Sequence, residues 1–128
     1  MASILRIRGD QLDAFSAAHR NADREQAEHE SLALIRQHWS ARVVGKTDEE
    51  VHTLVRQLLG RAEGFGLTSV EHGVRFVNAS MALGPGFEDD PQTPWARPLL
   101  TSSRTAAMKS ARLSEETRRE LGLRAGER

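Results

Sequence analysis

Apolar side chains recur at Val51, Leu54, Val55, Leu58, Leu59 and Ala62, the i, i+3, i+4, i+7 spacing that lines one face of an amphipathic helix. Glu49, His52, Arg56 and Arg61 occupy its other faces. Thr47 followed by Glu50 forms a capping box at the start of this helix, because the threonine oxygen accepts from the third backbone amide while the glutamate reaches back to the cap. Gly64 and Gly66 end it, since glycine enters the left-handed region without steric penalty. A second box, Thr68 with Glu71, opens another helix whose buried face is expected to be Val70, Val74, Val77 and Met81, with Phe76 beside it and Gly84-Pro85-Gly86 closing it. Two helices joined by so short a glycine-containing link fold back on each other, so the pattern predicts a helical hairpin over residues 48–83.

The flanks are less sharply patterned. Residues 3–8 alternate Ile4, Leu5 and Ile7 with Arg6 and Arg8, which reads as an extended lead-in because a lone strand has nothing to pair with. Asp10 is expected to cap a helix beginning at Gln11, an explanation of Arg8-Gly9-Asp10 that needs no integrin-type recognition. Residues 21–43 hold no Gly or Pro and are rich in good helix formers; Leu32, Ile35 and Trp39 mark the stripe, widened by Ala27, Leu34 and Val43. Gly84 to Pro94 is expected to be an irregular loop tied down by Phe87, with Pro94 opening a short helix that carries Trp95, Ala96, Leu99 and Leu100. Beyond it the sequence predicts a helix over 103–113, another over 115–121 capped by Ser114, and a frayed tail at 123–128. The expected architecture is all-α: one domain spanning 1–122, a small helical bundle of about five or six helices around the central hairpin.

Length and composition narrow the function classes. A chain of 128 residues is expected to make one domain. With no cysteine, it has neither a disulfide scaffold nor a thiolate metal site. Eighteen basic residues balance eighteen acidic ones, which argues against a polyanion as the main partner. Residues 104–128 nevertheless carry seven basic and four acidic side chains, a local +3. No run of about 18 apolar residues occurs, and residues 1–10 lack a signal-peptide pattern, so a cytoplasmic location with no membrane span is expected.

Candidate chemistry is sparse. The five histidines are not four apart on one face; His29-Glu30 begins like a zinc motif, but the next histidine is nine residues away. Glu88, Asp89 and Asp90 do not alternate as an EF-hand loop requires, and a turn in which Asp89 or Asp90 bonds the backbone ahead of Pro91 explains them better. Asn78-Ala79-Ser80 matches a glycosylation sequon but lies within an expected helix. No nucleophile elbow, phosphate loop or distinguished carboxylate pair points to an enzyme, and no metal or cofactor is expected.

A helix-turn-helix is the principal competitor, with Ala62 in a first helix, Gly66 in the turn and a polar cap on the second. Its second helix would present Glu71 and His72 before Arg75 and Asn78, an unfavourable order for meeting phosphates. What remains is protein binding through Phe65, Phe87, Asp90, Trp95 and Leu99, set against the alternative that Phe87 and Trp95 pack the loop onto the hairpin.

Ala62, Phe65-Gly66-Leu67, Thr68 to Glu71, Val74, Phe76-Val77, Met81, Gly84, Phe87, Asp90-Pro91 and Pro94-Trp95-Ala96 form a series that resembles a group of small helical bacterial proteins. These are encoded beside type VI secretion spike and toxin-delivery modules and run aromatic-Gly-Ile, capped helix, Phe-Val, Gly, Phe-Asp-x-Asp-Pro, Pro-Trp. Here Glu88 and Asp89 separate Phe87 from Asp90, and Phe65 stands where tyrosine is frequent. The resemblance implies an accessory protein, an adaptor or chaperone whose partner is a secretion spike, effector or toxin, with no catalytic residue to transfer. A DNA-binding regulator and a toxin-neutralising immunity protein are the alternatives. Self-association of the long helix stays open.

Overall fold

The hairpin forms where its caps place it. A computed structural model describes the backbone of residues 2–126 and the side chains of residues 20–126. Its helices are α1 (Ala2–His38), α2 (Asp48–Gly64), α3 (Val70–Leu83), α4 (Ala96–Leu100) and α5 (Ala106–Gly126), with 3-10 turns at Ser40–Val43 and Phe87–Asp89. No strand occurs among the described residues.

The first turn of α2 is held by the threonine half of the expected box, Glu50 N donating to Thr47 Oγ1 at 3.1 Å, with Asp48, Glu49 and Glu50 complementing the positive end of the helix. Its far end closes in a Schellman arrangement: Leu67 N donates to the Ala62 carbonyl at 2.9 Å and Gly66 N to that of Glu63 at 2.9 Å. Gly66 takes φ +83°, the left-handed conformation this closure needs. Leu67 and Ala62 are both buried, giving the apolar contact that accompanies the motif.

The second cap lies one residue later than the sequence suggested. Ser69, not Thr68, receives the His72 amide at 3.2 Å, and Glu71 turns away to pair with Arg75 one helical turn on. Ser69→Ala is therefore expected to cost about 1 kcal/mol in urea unfolding, while Thr68→Ala changes stability by less than about 0.5 kcal/mol. Equal losses at the two positions would place the cap wrongly.

Helix α3 is the centre of the bundle, in contact with α1, α2 and α5. Val77 and Met81 are buried as expected, but Val70 and Val74 are only half-buried, and the core positions include Gly73, Phe76, Ala79, Ser80, Ala82 and Leu83. A single apolar stripe assumes one covered face, and α3 is covered from three directions. Its small residues allow that approach: a Cβ on Gly73 would stand 3.0 Å from Leu59 Cδ2. The buried Ser80 hydroxyl donates to the Phe76 carbonyl at 3.0 Å, so no polar group is stranded there.

Four expected boundaries are corrected. The extended lead-in at 3–8 and the helix start capped by Asp10 are replaced by one helix running from Ala2, because Gly9 alone weakens a helix by only about 1 kcal/mol and no proline interrupts the segment. That helix stops at His38 instead of Val43, where Trp39 leaves helical geometry at φ −126°. At the other end, Ser114 caps nothing. Thr105 accepts from Met108 N at 3.2 Å to start α5, which passes through Ser114 without a break and is assigned to Gly126.

Candidate functional site: the Trp95 groove and its pinned loop

The loop after α3 reverses through Gly84 and Gly86, both at positive φ. Three polar contacts then fix it. Asp90 Oδ1 accepts from Gln92 N at 2.8 Å, the local turn expected ahead of Pro91. Buried Thr93 donates its hydroxyl to the Phe87 carbonyl at 2.6 Å. Glu88, almost wholly buried, pairs with Arg61 of α2.

Beneath the loop runs a chain of tilted rings: Phe65 to Phe76 at 6.0 Å, Phe76 to Phe87 at 5.5 Å and Phe87 to Trp95 at 6.5 Å between centroids. These separations suit offset and edge contacts. Phe76 and Phe87 are fully enclosed, whereas Phe65 and Trp95 at the two ends are half-buried. Short helix α4 begins at Ala96, two residues after Pro94. Pro98 sits at its third position, where a missing N–H costs little.

Outside Trp95 lies a groove of about 540 Å³ between α4 and α5. Trp95, Pro98 and Leu99 form its apolar side, and Arg104, Arg112 and Arg119 face Glu116 on the other. Positions 112, 116 and 119 share one face of α5 by helical spacing. Glu116 approaches Arg119 at 3.7 Å; Arg104 and Arg112 have no ion pair among the described residues. The groove thus joins an indole edge to a net positive rim, suited to an acidic, partly apolar segment of another chain.

Of the five candidate residues, the structure brings Trp95 and Leu99 together in this groove. Leu99 is 8% exposed, so it serves as floor. Phe87 belongs to the core. Asp90 is engaged in its turn. Phe65 lies at the opposite end of the ring chain, with the Arg97 guanidinium 5.8 Å above its centroid. The three arginines were not among the candidates; the i, i+7 spacing of Arg112 and Arg119 was the available signal.

Arg97 also grips Asp89 through two bonds, Nε to Oδ1 at 2.6 Å and Nη2 to Oδ2 at 2.9 Å. These hydrogen bonds hold the Asp89 carboxyl below the ordinary aspartate range, and the pair raises Arg97 in turn. Because the folded pKa lies below the unfolded one, the contribution of Asp89 is present above about pH 4 and disappears as pH falls through the folded value. Asp89→Asn should accordingly lower the melting temperature at pH 6, and the gap to the wild type should close as pH falls below about 4. A gap independent of pH would exclude this ion pair as its source.

The arrangement bears on the helix-turn-helix reading as well. The helix that would enter a DNA groove is α3, which packs against α1, α2 and α5, with Asn78 accepting from Trp39 Nε1 at 2.9 Å and Arg75 bonded to Glu71 and Ser110. No group of three His, Cys, Asp or Glu side chains able to hold a metal ion occurs among the described residues. Nor is any helix among them long and apolar enough to cross a membrane. No protein-family model, curated protein or solved structure matches the chain.

Proposed function

We propose that this chain is a non-enzymatic, cytoplasmic accessory protein of a bacterial type VI secretion or toxin-delivery module, acting as an adaptor or chaperone-like partner of a spike, effector or toxin. The observation that carries the protein-binding part is the Trp95 groove, where one end of the ring chain stays half-exposed beside Pro98 and three arginines. A rigid indole backed by a packed core is the kind of anchor that dominates protein interfaces. The assignment to a secretion module rests on the resemblance of residues 62–96 alone.

The test is co-expression with the products of neighbouring genes, followed by affinity capture. A partner recovered by the wild type should bind Trp95→Ala at least about tenfold more weakly, with the far-ultraviolet helical signal preserved. Arg112→Glu, an exposed change, should weaken the same partner. Recovery of no partner, or a partner indifferent to both substitutions, counts against the groove. Neutralisation of a co-expressed toxin would identify the accessory role as immunity. The arginines also favour a second reading, DNA binding, which predicts a salt-sensitive mobility shift on duplex DNA lost on Arg112→Glu.

A further inference from the structure

We propose that the outer face of α5, together with the Trp95 groove it borders, takes an amphipathic helix of a partner protein in which two acidic side chains stand seven residues apart with a basic one between them. This rests on the reading of the Trp95 groove as a protein-binding site and names the chemistry of its occupant. Among the described residues three large apolar side chains are left exposed, and two of them belong to α5: Met108, 55% exposed, and Leu123, 58% exposed. Apolar side chains scattered singly over a surface need no explanation, but these two share a direction with the charged wall of the groove.

At about 100° per residue, positions 108, 112, 116, 119 and 123 fall within about 40° of a common direction. That direction is about 130° from the mean of the buried positions 110, 113 and 117, so the stripe lies on the outer side of α5. It runs Met108, Arg112, Glu116, Arg119, Leu123, about 22 Å from first to last. Arg112 and Arg119 are exposed, the latter over 72% of its side chain, while Glu116 is sunk to 22%. Glu115, at the edge of the stripe, does not line the groove.

The order of side chains selects the occupant. Steps of four, four, three and four residues make a helical seam, which a second helix matches along its whole length. Opposite such a seam the partner must set one acid against Arg112 and another against Arg119, a basic side chain against Glu116, and an apolar one against each end. Arg112 and Arg119 are about 10.5 Å apart along the axis, the distance between residues seven apart on the partner. The adjoining apolar row of that helix then enters the groove against Trp95, Pro98 and Leu99, where Arg104, without an ion pair among the described residues, adds a third cation.

A second copy of this chain does not supply that helix. Antiparallel pairing that sets Met108 of one copy on Leu123 of the other places Arg112 opposite Arg119 and the two Glu116 side chains side by side, like against like. Sliding the copies until glutamate meets arginine brings Leu123 of one against Arg112 of the other, or Met108 against Glu120. Parallel pairing sets every charge opposite itself. The stripe therefore calls for a different chain of complementary charge.

The probes are two synthetic helical peptides of about 20 residues, each with glutamates seven positions apart, a leucine one turn beyond each, and leucines along the adjoining row. A lysine stands three or four positions after the first glutamate, for antiparallel or parallel docking. Titration calorimetry against the full chain should give, for one of them, a Kd on the order of 1–100 µM that weakens with salt. Arg112→Glu and Arg119→Glu should each raise that Kd about three- to tenfold, and Met108→Ser and Leu123→Ser about threefold, with the helical signal retained because all four side chains are exposed. The double variant Arg112→Glu, Arg119→Glu should return to within about threefold of the original Kd when the peptide's two glutamates are replaced by lysines. A peptide bound equally by the wild type and the double variant, or bound as well with its glutamates changed to glutamine, overturns the charge pattern. No peptide binding, with a co-expressed partner still lost on Trp95→Ala, overturns the acidic helix and leaves the groove as a protein site; a partner indifferent to Trp95→Ala removes the groove reading itself. Self-association abolished by Leu123→Ser would make the occupant a second copy, and a duplex-DNA shift abolished by Arg112→Glu without peptide binding would make it nucleic acid; either overturns the proposal.

Discussion

Phe76→Ala is expected to lower the stability of this protein by about 3–5 kcal/mol and its melting temperature by roughly 10–20 °C. Phe76 is fully buried at the midpoint of α3 and is the one ring that touches both Phe65 of the hairpin turn and Phe87 of the loop. Removing it opens a cavity between α2, α3 and the loop, and forfeits two ring contacts worth about 0.5–1.5 kcal/mol each beyond their burial. Small neighbours limit the collapse that would refill the space, since Gly73, Ala79 and Ser80 offer little side chain to move inward. Phe65→Ala should cost less than half as much, because that ring is half-exposed and a solvent-facing gap fills with water. Urea unfolding decides it. A loss below about 1.5 kcal/mol at Phe76, or equal losses at the two rings, would mean that the ring chain does not tie the loop to the hairpin.

The different fates of the two capped helices show what a single chain reveals. Helix α2 has one covered face, and its stripe from Val51 to Ala62 predicted its buried residues directly; Leu54 alone is left half-buried. In α3 the same reasoning selected Val70 and Val74, which border a groove, and passed over Gly73, Ala79, Ser80 and Ala82, which are enclosed. Small and polar residues carry little hydrophobic signal, yet they are what a helix needs when three neighbours approach it. The breaks expected in α1 and α5 rested on Asp10 and Ser114, residues whose side chains favour caps but do not forbid a helix interior. In both segments continuity prevailed because no proline enforced a stop.

The candidate site divides along similar lines. Phe87 and Trp95 are neighbours in sequence pattern and in space, but one closes the core and the other lines the groove. Nothing in residue type separates those roles; the turn at Asp90 and the Thr93 clamp do, by setting which ring points inward. The arginines of α5 were visible only as a local excess of charge, and became a rim once α4 and α5 were placed side by side.

Arg61→Ala is expected to cost about 2–4 kcal/mol at pH 7.5, more than its position on the surface of α2 suggests. Its partner Glu88 has a side chain only 2% exposed, and the second carboxylate oxygen already lacks a hydrogen-bond partner. Deleting the guanidinium leaves a charge with no compensation in a largely dry site. The 42% exposure of Arg61 keeps water near the outer edge and holds the loss below that of a fully interior pair. Glu88→Gln removes the charge instead and lets Arg61 turn to solvent, so it should cost less than about 1.5 kcal/mol, and adding it to Arg61→Ala should recover most of the loss. A deficit unrelieved by Glu88→Gln would show that Arg61 acts through the packing of its aliphatic stem, and that the loop is held by Phe87 and Thr93 alone.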